Sequence, residues 1–347
     1  YCRMIGKSRL TAARRWQKLA QPPHPATTPS SIQIMPRLLF AHRDFPYFAP
    51  KLQTAFPQLE VVTAVDLPAA EDKLADAEII VSVDHTFNDA RLAAAPKLRW
   101  IQTMTTGTDA LERARTLRRD IVITNMRGIH GPQMSEMAFL YMLNLARRFA
   151  QTLDNQRNHR WQRWDQVRLA GKTVLIVGTG LVAEALAPRC KAFGMTVSGV
   201  SRTPRAMPNF DRICGYDNIK SLAAQADFII LIAPYSKVTH HLVDAELIAT
   251  MKPTAFVLNL ARGSLCDEAA LIDALKTKRI AGAGLDVFNS EPLPADSPLW
   301  DMDNVIITPH VAGSSDDNLS LQWPIIEGNL RCFLDGRVGD MINRVQL

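Results

Sequence analysis

Short β-rich runs separated by stretches of helical length recur along almost the whole chain. A first block holds runs at 37–42, 59–65, 77–83, 98–103 and 121–126, and a second series holds 173–177, 196–201, 227–233, 255–261, 281–287 and 305–308. Strands that alternate with helices are joined by crossovers and therefore pair in parallel. The expected fold class is α/β, built from doubly wound parallel sheets. At 347 residues one hydrophobic core usually stops growing, so two domains are expected. Between the two series, residues 135–148 read as a helix. Its run from Met137 to Leu143 leaves no polar stripe over two turns, which predicts burial on all sides at a domain or subunit boundary, and a homodimer. The last helical stretch, 316–334, is too short to be a domain and is expected to pack back onto the first block.

Charge and composition exclude several classes of function. The chain has 40 Lys and Arg against 34 Asp and Glu, a net charge of +6. Residues 1–34 hold Arg3, Lys7, Arg9, Arg14, Arg15 and Lys18 and no acid, so the rest balances at 34 against 34. A neutral body has no basic stripe, and no nucleic-acid partner is expected. The longest apolar run has seven residues, far short of the roughly 20 that span a bilayer, so no membrane partner is expected either. The proline-containing basic tail is expected to be disordered. It reads as an organelle transit segment or, the favoured alternative, as sequence upstream of a start at Met35. Five scattered cysteines, Cys2, Cys190, Cys214, Cys266 and Cys332, suit a reducing compartment, and the expected location is the cytoplasm, with organellar import left open. No His, Cys or acid cluster has ligand spacing, so no metal is expected.

Gly178-Thr179-Gly180-Leu181-Val182-Ala183 follows the run 173–177 and opens a helical stretch ending at Gly194. This is the strand–turn–helix setting of a dinucleotide site. Gly178 permits the tight turn, and Gly180 lets the backbone approach a pyrophosphate held on the helix amides. Ala183 stands where a third glycine is usual, a change expected to be tolerated. Pro188 is out of place in a helix interior, where proline costs about 3 kcal/mol unless the helix kinks. The next run ends in Ser201-Arg202-Thr203, where an NAD site would carry an acid for the ribose hydroxyl. With no carboxylate to repel it, and with Arg202 and Arg205 at hand, a 2′-phosphate is favoured, which makes NADP the expected cofactor and leaves NAD open. The competing reading of Arg202 is a solvated loop arginine.

Three polar residues lie just past three successive β-runs: Arg262, Glu291 and His310. Ligands of such sheets bind outside the carboxyl ends of the strands, where the three can converge. Arg262 offers a planar fork for a carboxylate. His310 can trade a proton near neutral pH, and Glu291 would favour the imidazolium and fix its tautomer.

Four stretches together resemble the D-isomer-specific 2-hydroxyacid dehydrogenases: Val177-Gly178-Thr179-Gly180-Leu181; Leu258-Asn259-Leu260-Ala261-Arg262-Gly263 with Asp267-Glu268; Gly284-Leu285-Asp286-Val287-Phe288-Asn289-Ser290-Glu291-Pro292; and Ile307-Thr308-Pro309-His310-Val311. The likeness covers Met35 to the C-terminus. It implies a Rossmann cofactor domain, 135–313, inserted into a flavodoxin-like substrate domain formed by 35–134 and 314–347. It also implies that Arg262 anchors the substrate carboxylate, that His310 is the acid/base with Glu291 as its partner, and that Asp286 lies near the nicotinamide amide. Thr106 and Gly107 match a loop facing the substrate, and Ala233, Pro234, Thr239 and Ala261 are expected to complete the cofactor site. Ser201-Arg202-Thr203 and the run 289–294 look like the glyoxylate/hydroxypyruvate reductase branch. The expected activity is reduction of a small 2-oxoacid to a D-2-hydroxyacid by NADPH. Within the family, the 37 residues after His310 are expected to leave no room for the regulatory domain of phosphoglycerate dehydrogenases, and formate dehydrogenases place Gln where Glu291 stands. The rival from another class is a dinucleotide-sensing, corepressor-like scaffold of the same fold.

Overall fold

The computed structural model describes residues 35–347, so the expectations for the basic tail lie outside the described residues. The chain divides into two compact units, one of 35–126 with Leu319–Leu347 and one of Arg127–Asn318. The expected boundaries at 134/135 and 313/314 both fall inside the second unit.

The first unit is built on β1 (Arg37–Ala41), β2 (Glu60–Ala64), β3 (Ile79–Ser82), β4 (Trp100–Thr103) and β5 (Val122–Thr124), in the order β2-β1-β3-β4-β5. All pairs are parallel. Side chains alternate between the faces of a strand, so Leu39, Ile80, Ile101 and Ile123 pack on one side with Leu67, Leu74, Leu92 and Leu111. On other strand positions Phe40 stacks on Phe48 and Trp100 on Phe333, with ring centroids 5.0 and 5.3 Å apart. Phe333 belongs to the C-terminal helix, Asn318–Leu334, which thus returns to the first sheet as expected. A buried polar chain fastens it there. Trp100 Nε1 donates to Thr124 Oγ1, Thr124 donates to Gln102 Oε1, and Asn329 Nδ2 donates to that same oxygen at 3.1 Å. Asn329 also accepts from the Ile342 amide at 2.9 Å, which holds the chain end.

The second unit has seven parallel strands: β6 (Thr173–Val177), β7 (Thr196–Val200), β8 (Arg212–Cys214), β9 (Phe228–Leu231), β10 (Phe256–Asn259), β11 (Gly282–Leu285) and β12 (Val305–Ile307). Their order is β12-β11-β10-β9-β6-β7-β8. Both faces are covered. Leu175, Val177, Ile229, Leu231 and Val257 enter one core, while Val174, Ile176, Phe228, Ile230 and Leu258 enter the other. Strand β8 is absent from the sequence expectations because three residues at a sheet edge, the first of them an exposed arginine, carry no apolar run.

Two helices pack into the second of these cores, α1 (Gly131–Arg147) and α2 (Leu181–Ala192). Helix α1 buries Ala138, Tyr141, Met142 and Ala146, residues spaced three or four apart on one face. Leu140 on α1, and Phe149 and Leu153 on the next helix, remain 44, 45 and 37% exposed. Burial on all sides is therefore not what the chain alone provides: consecutive apolar residues populate every face of a helix, and one sheet can cover only one of them. Helix α2 runs through Pro188, with Leu186, Ala187 and Cys190 fully buried around it. Ala183 is also fully buried, its methyl accommodated in the core. No helix of the described residues is long and apolar enough to cross a membrane.

Asn329→Ala should lower stability by about 1–3 kcal/mol, because the Ile342 amide and carbonyl lose a buried partner. The shift in urea midpoint, at unchanged slope, measures it.

Candidate active site

Parallel pairing sends the C-terminal ends of all strands to one edge of a sheet, and every sequence-predicted residue of the second unit lies on a segment leaving that edge. Gly178 follows β6, Ser201 follows β7, Ala233 and Pro234 follow β9, Ala261 and Arg262 follow β10, Asp286 and Glu291 follow β11, and His310 follows β12. The strands β10, β11 and β12 are neighbours, so the loops bearing Arg262, Glu291 and His310 are adjacent.

The glycine turn after β6 separates two roles. Gly178 has φ +100°, and a Cβ there would lie 2.7 Å from the Ala233 backbone, so the turn and the close strand contact both require glycine. A Cβ on Gly180 would meet nothing within 4 Å. Gly180 is the N-cap of α2 and makes no side-chain cap to the first-turn amides. The space before it and the amide-bearing helix start fit the pyrophosphate of a dinucleotide. Thr179 is buried, and Leu181 and Val182 begin the helix.

Beyond β7, the Ser201 hydroxyl shapes its own turn, accepting from the Thr203 amide at 3.3 Å. Arg202 and Thr203 are exposed. Arg202 stands close enough to Tyr216 for its charge to act on the phenol: burial raises the Tyr216 pKa and the guanidinium opposes that rise. Arg205 reaches Glu184 at 4.0 Å. No carboxylate takes the place of Ser201 at the strand end.

Arg262 and Glu291 are joined through the backbone between them. A Cβ on Gly263 would fall 2.0 Å from the Phe288 carbonyl carbon, so the Arg262–Gly263 segment lies directly against the segment leading to Glu291. Asn259, at the end of β10, donates to the Arg262 carbonyl at 2.8 Å and accepts from the Ala261 amide at 3.1 Å, and the Arg262 guanidinium donates to the Ala261 carbonyl at 2.7 Å. Glu291 uses one carboxylate oxygen to accept from the Phe288 amide at 3.0 Å and the other to meet His310 Nδ1 at 2.7 Å. His310 and Glu291 side chains are 51 and 37% exposed, so the pair is open to a ligand. Because Nδ1 is engaged, Nε2 is the nitrogen left to face a reacting group.

Asp286, expected near a nicotinamide amide, is 1% exposed, and its carboxylate accepts from the Val311 and Ala312 amides, both at 2.9 Å, and from the Thr308 hydroxyl. Thr239 bonds within its own loop, to the Pro234 carbonyl at 2.9 Å. In the first unit, Thr106 and Gly107 follow β4 in a loop held from within and from the segment after β5: Thr105 donates to the Gly107 carbonyl at 3.0 Å, and Asn125 to the Thr106 carbonyl at 2.8 Å. Two residues of the matched stretches, Asn259 and Glu268, have supporting roles that the sequence did not assign, the latter accepting from the Asn289 amide at 3.1 Å. Asn259 is legible as the one polar residue of an otherwise apolar strand. Among the described residues no group of three or more His, Cys, Asp or Glu could hold a metal.

Comparison with known proteins agrees with this geometry. Residues 139–312 match the family described as D-isomer specific 2-hydroxyacid dehydrogenase, NAD binding domain. A glyoxylate reductase of Korarchaeum cryptofilum is 33% identical over 276 residues, covering 77% of this chain and 82% of its own. Among solved structures, a D-isomer specific 2-hydroxyacid dehydrogenase family protein of Aeromonas salmonicida superposes with a TM-score of 0.82 at 37% identity, over 90% of this chain and 99% of its own. A D-isomer specific 2-hydroxyacid dehydrogenase of Xanthobacter autotrophicus, in complex with NADPH and MES, gives 0.76 at 30% identity, over 90 and 98%. Family match, whole-chain likeness and the two parallel sheets lead to one conclusion: the chain belongs to the D-isomer specific 2-hydroxyacid dehydrogenases, oxidoreductases that use a nicotinamide dinucleotide.

Proposed function

We propose that the protein is an NADPH-preferring reductase of a small 2-oxoacid of the glyoxylate or hydroxypyruvate kind, giving a D-2-hydroxyacid. The observation that carries this reading is the 2.7 Å contact of His310 Nδ1 with Glu291, on neighbouring loops of the edge that also bears Arg262. A nicotinamide dinucleotide, when bound, supplies the hydride. Arg262 binds the substrate carboxylate through its planar fork and polarises the carbonyl. His310 gives the proton on Nε2 to the forming alkoxide, and Glu291 holds the tautomer and orientation that make this possible. Gly178, Thr179, Gly180, Leu181 and Val182 cradle the pyrophosphate, and Ala233, Pro234, Thr239 and Ala261 line the path from β6 to Arg262. Ser201, Arg202 and Thr203 meet the 2′-phosphate, with Arg202 as its charge partner. The first unit acts as the substrate domain, presenting Thr106 and Gly107, and the second as the dinucleotide domain. The reductase named above supports the substrate class, the NADPH in the Xanthobacter complex supports the cofactor, and the family name supports the D-product. Those enzyme names favour catalysis over the scaffold alternative.

The same reading makes the protein a homodimer. Leu140 on α1, Phe149 and Leu153 on the next helix, and Trp161, 96% exposed, are large apolar side chains left outside the core. A second copy is the occupant that would cover them. The described cysteines are free, which supports a reducing, cytoplasmic setting.

NADPH oxidation with a panel of 2-oxoacids tests the activity, and no turnover of any of them would overturn it. His310→Ala should lower kcat by about 10²–10⁴-fold. Arg262→Ala should damage both KM for the acid and kcat. Arg202→Ala should remove a preference for NADPH over NADH of roughly ten- to a hundredfold, acting through NADPH alone, since a hydrogen bond to a charged group contributes about 1.5–3 kcal/mol. A paired glycine experiment separates folding from cofactor binding. Gly178→Ala should cost stability by about 1–3 kcal/mol through its positive φ, whereas Gly180→Ala should leave the melting temperature unchanged and weaken NADPH binding, measured by titration.

A further inference from the structure

His310 has φ +53°, a left-handed conformation that a residue with a Cβ adopts only when its surroundings over-determine it. Those surroundings are polar and centre on the buried Asp286. The Asp286 carbonyl accepts from the His310 amide at 2.8 Å, and the Asp286 carboxylate gathers the next two amides, Val311 and Ala312, at 2.9 Å each. One carboxylate oxygen also accepts from the Thr308 hydroxyl. Thr308 has a single hydroxyl proton, committed to Asp286, so its contact with the Tyr141 hydroxyl can only be one in which Tyr141 donates. Burial pushes the Tyr141 pKa up, which keeps that proton in place. The chain therefore runs in one direction, from Tyr141 on α1 through Thr308 to Asp286 and the turn that carries His310. Tyr141 is itself fixed: its ring lies on β11 so closely that a Cβ on Gly284 would be 2.5 Å from it.

We infer that Tyr141 and Thr308 are positioning residues for the reaction, which act through Asp286 to hold the His310 turn in its left-handed conformation and so aim the imidazole. This role presupposes the proposed one of His310 as proton donor. Neither Tyr141 nor Thr308 belongs to the expected site residues. Packing alone gives no reason for the two hydroxyls. An apolar pair would fill the same space without burying polar groups, whereas these two, together with Asp286, connect a rigid helix to the one strained residue of the catalytic turn. Positioning of this kind should appear in turnover and not in cofactor binding, because the turn lies after β12 and the pyrophosphate cradle after β6.

Four variants test it, each assayed for kcat, for KM of NADPH and for melting temperature, with the 2-oxoacid of highest turnover. Tyr141→Phe keeps the ring and removes the donor. Thr308→Val keeps the shape and removes the relay, and Thr308→Ser restores it. His310→Ala is the reference. The expected result is that Thr308→Val lowers kcat by about ten- to a hundredfold, the scale of a small misplacement of a reacting group, at unchanged KM for NADPH. Tyr141→Phe should follow in the same direction by a smaller factor, and Thr308→Ser should return kcat to near wild type. Wild-type kcat in both Tyr141→Phe and Thr308→Val would overturn the inference. So would a loss in Thr308→Val that Ser does not rescue and that tracks a fall in melting temperature. If His310→Ala itself keeps near-wild-type turnover, the proposed mechanism fails first, and the positioning role with it.

Discussion

Parallel pairing in both sheets has a consequence that every other element inherits: each strand must be entered from the same side, so each leaves the sheet at one common edge. In the second unit, segments distributed from Gly178 to His310 therefore emerge side by side without any special local structure to gather them. The helices that make the crossovers also cover the two faces, which is why β6 and β9 bury residues alternately into two separate cores. What remains for individual side chains is fine placement: the turn at Gly178, the contact of Gly263 with Phe288, and the ladder of bonds to Asp286.

The strands were legible because both faces of a parallel sheet are covered, and doubly buried strands read as unbroken apolar runs. β6 lies where its run predicts, and ten further strands fall inside theirs with shortened ends. β8 lacked such a signal, since an edge strand of Arg212, Ile213 and Cys214 is half-exposed and needs no apolar neighbours on both sides. The apolar run in α1 misled in the opposite sense. Its residues carry enough hydrophobicity for every face of the helix, yet only the face bearing Ala138, Tyr141 and Met142 is covered within the unit, and Leu140 shows what the run alone could not, namely which side is left over.

The proposed site was legible to different depths. Arg262, Glu291 and His310 stand at strand ends, where a polar residue after an apolar run is conspicuous, and the structure joins the last two directly. Asp286 was visible as a residue but not in its attachments: a carboxylate that accepts from the amides of Val311 and Ala312 makes contacts across 25 and 26 residues of sequence, and no local pattern announces them. Tyr141 was hidden more completely. Within a run of apolar neighbours it counts toward hydrophobicity, and its hydroxyl becomes meaningful only when β12 brings Thr308 against it, 167 residues further along.

Exposure explains why the proposed cofactor preference can be argued from sequence when the positioning network cannot. A buried residue answers first to packing, so its identity reports on the core before it reports on chemistry; Ala183, filling the junction of α2 with its core, is such a residue. Arg202 is exposed, and among the described residues its charge acts on the Tyr216 phenol without a hydrogen bond or ion pair that would fix a guanidinium there. The Ser201 hydroxyl is satisfied by its own turn, which an aspartate would also shape by accepting from the Thr203 amide. Folding is thus nearly indifferent between serine and aspartate at this strand end. A choice that folding does not make is left to the ligand, and the absence of a carboxylate beside an available arginine is what the proposed contact with a 2′-phosphate rests on.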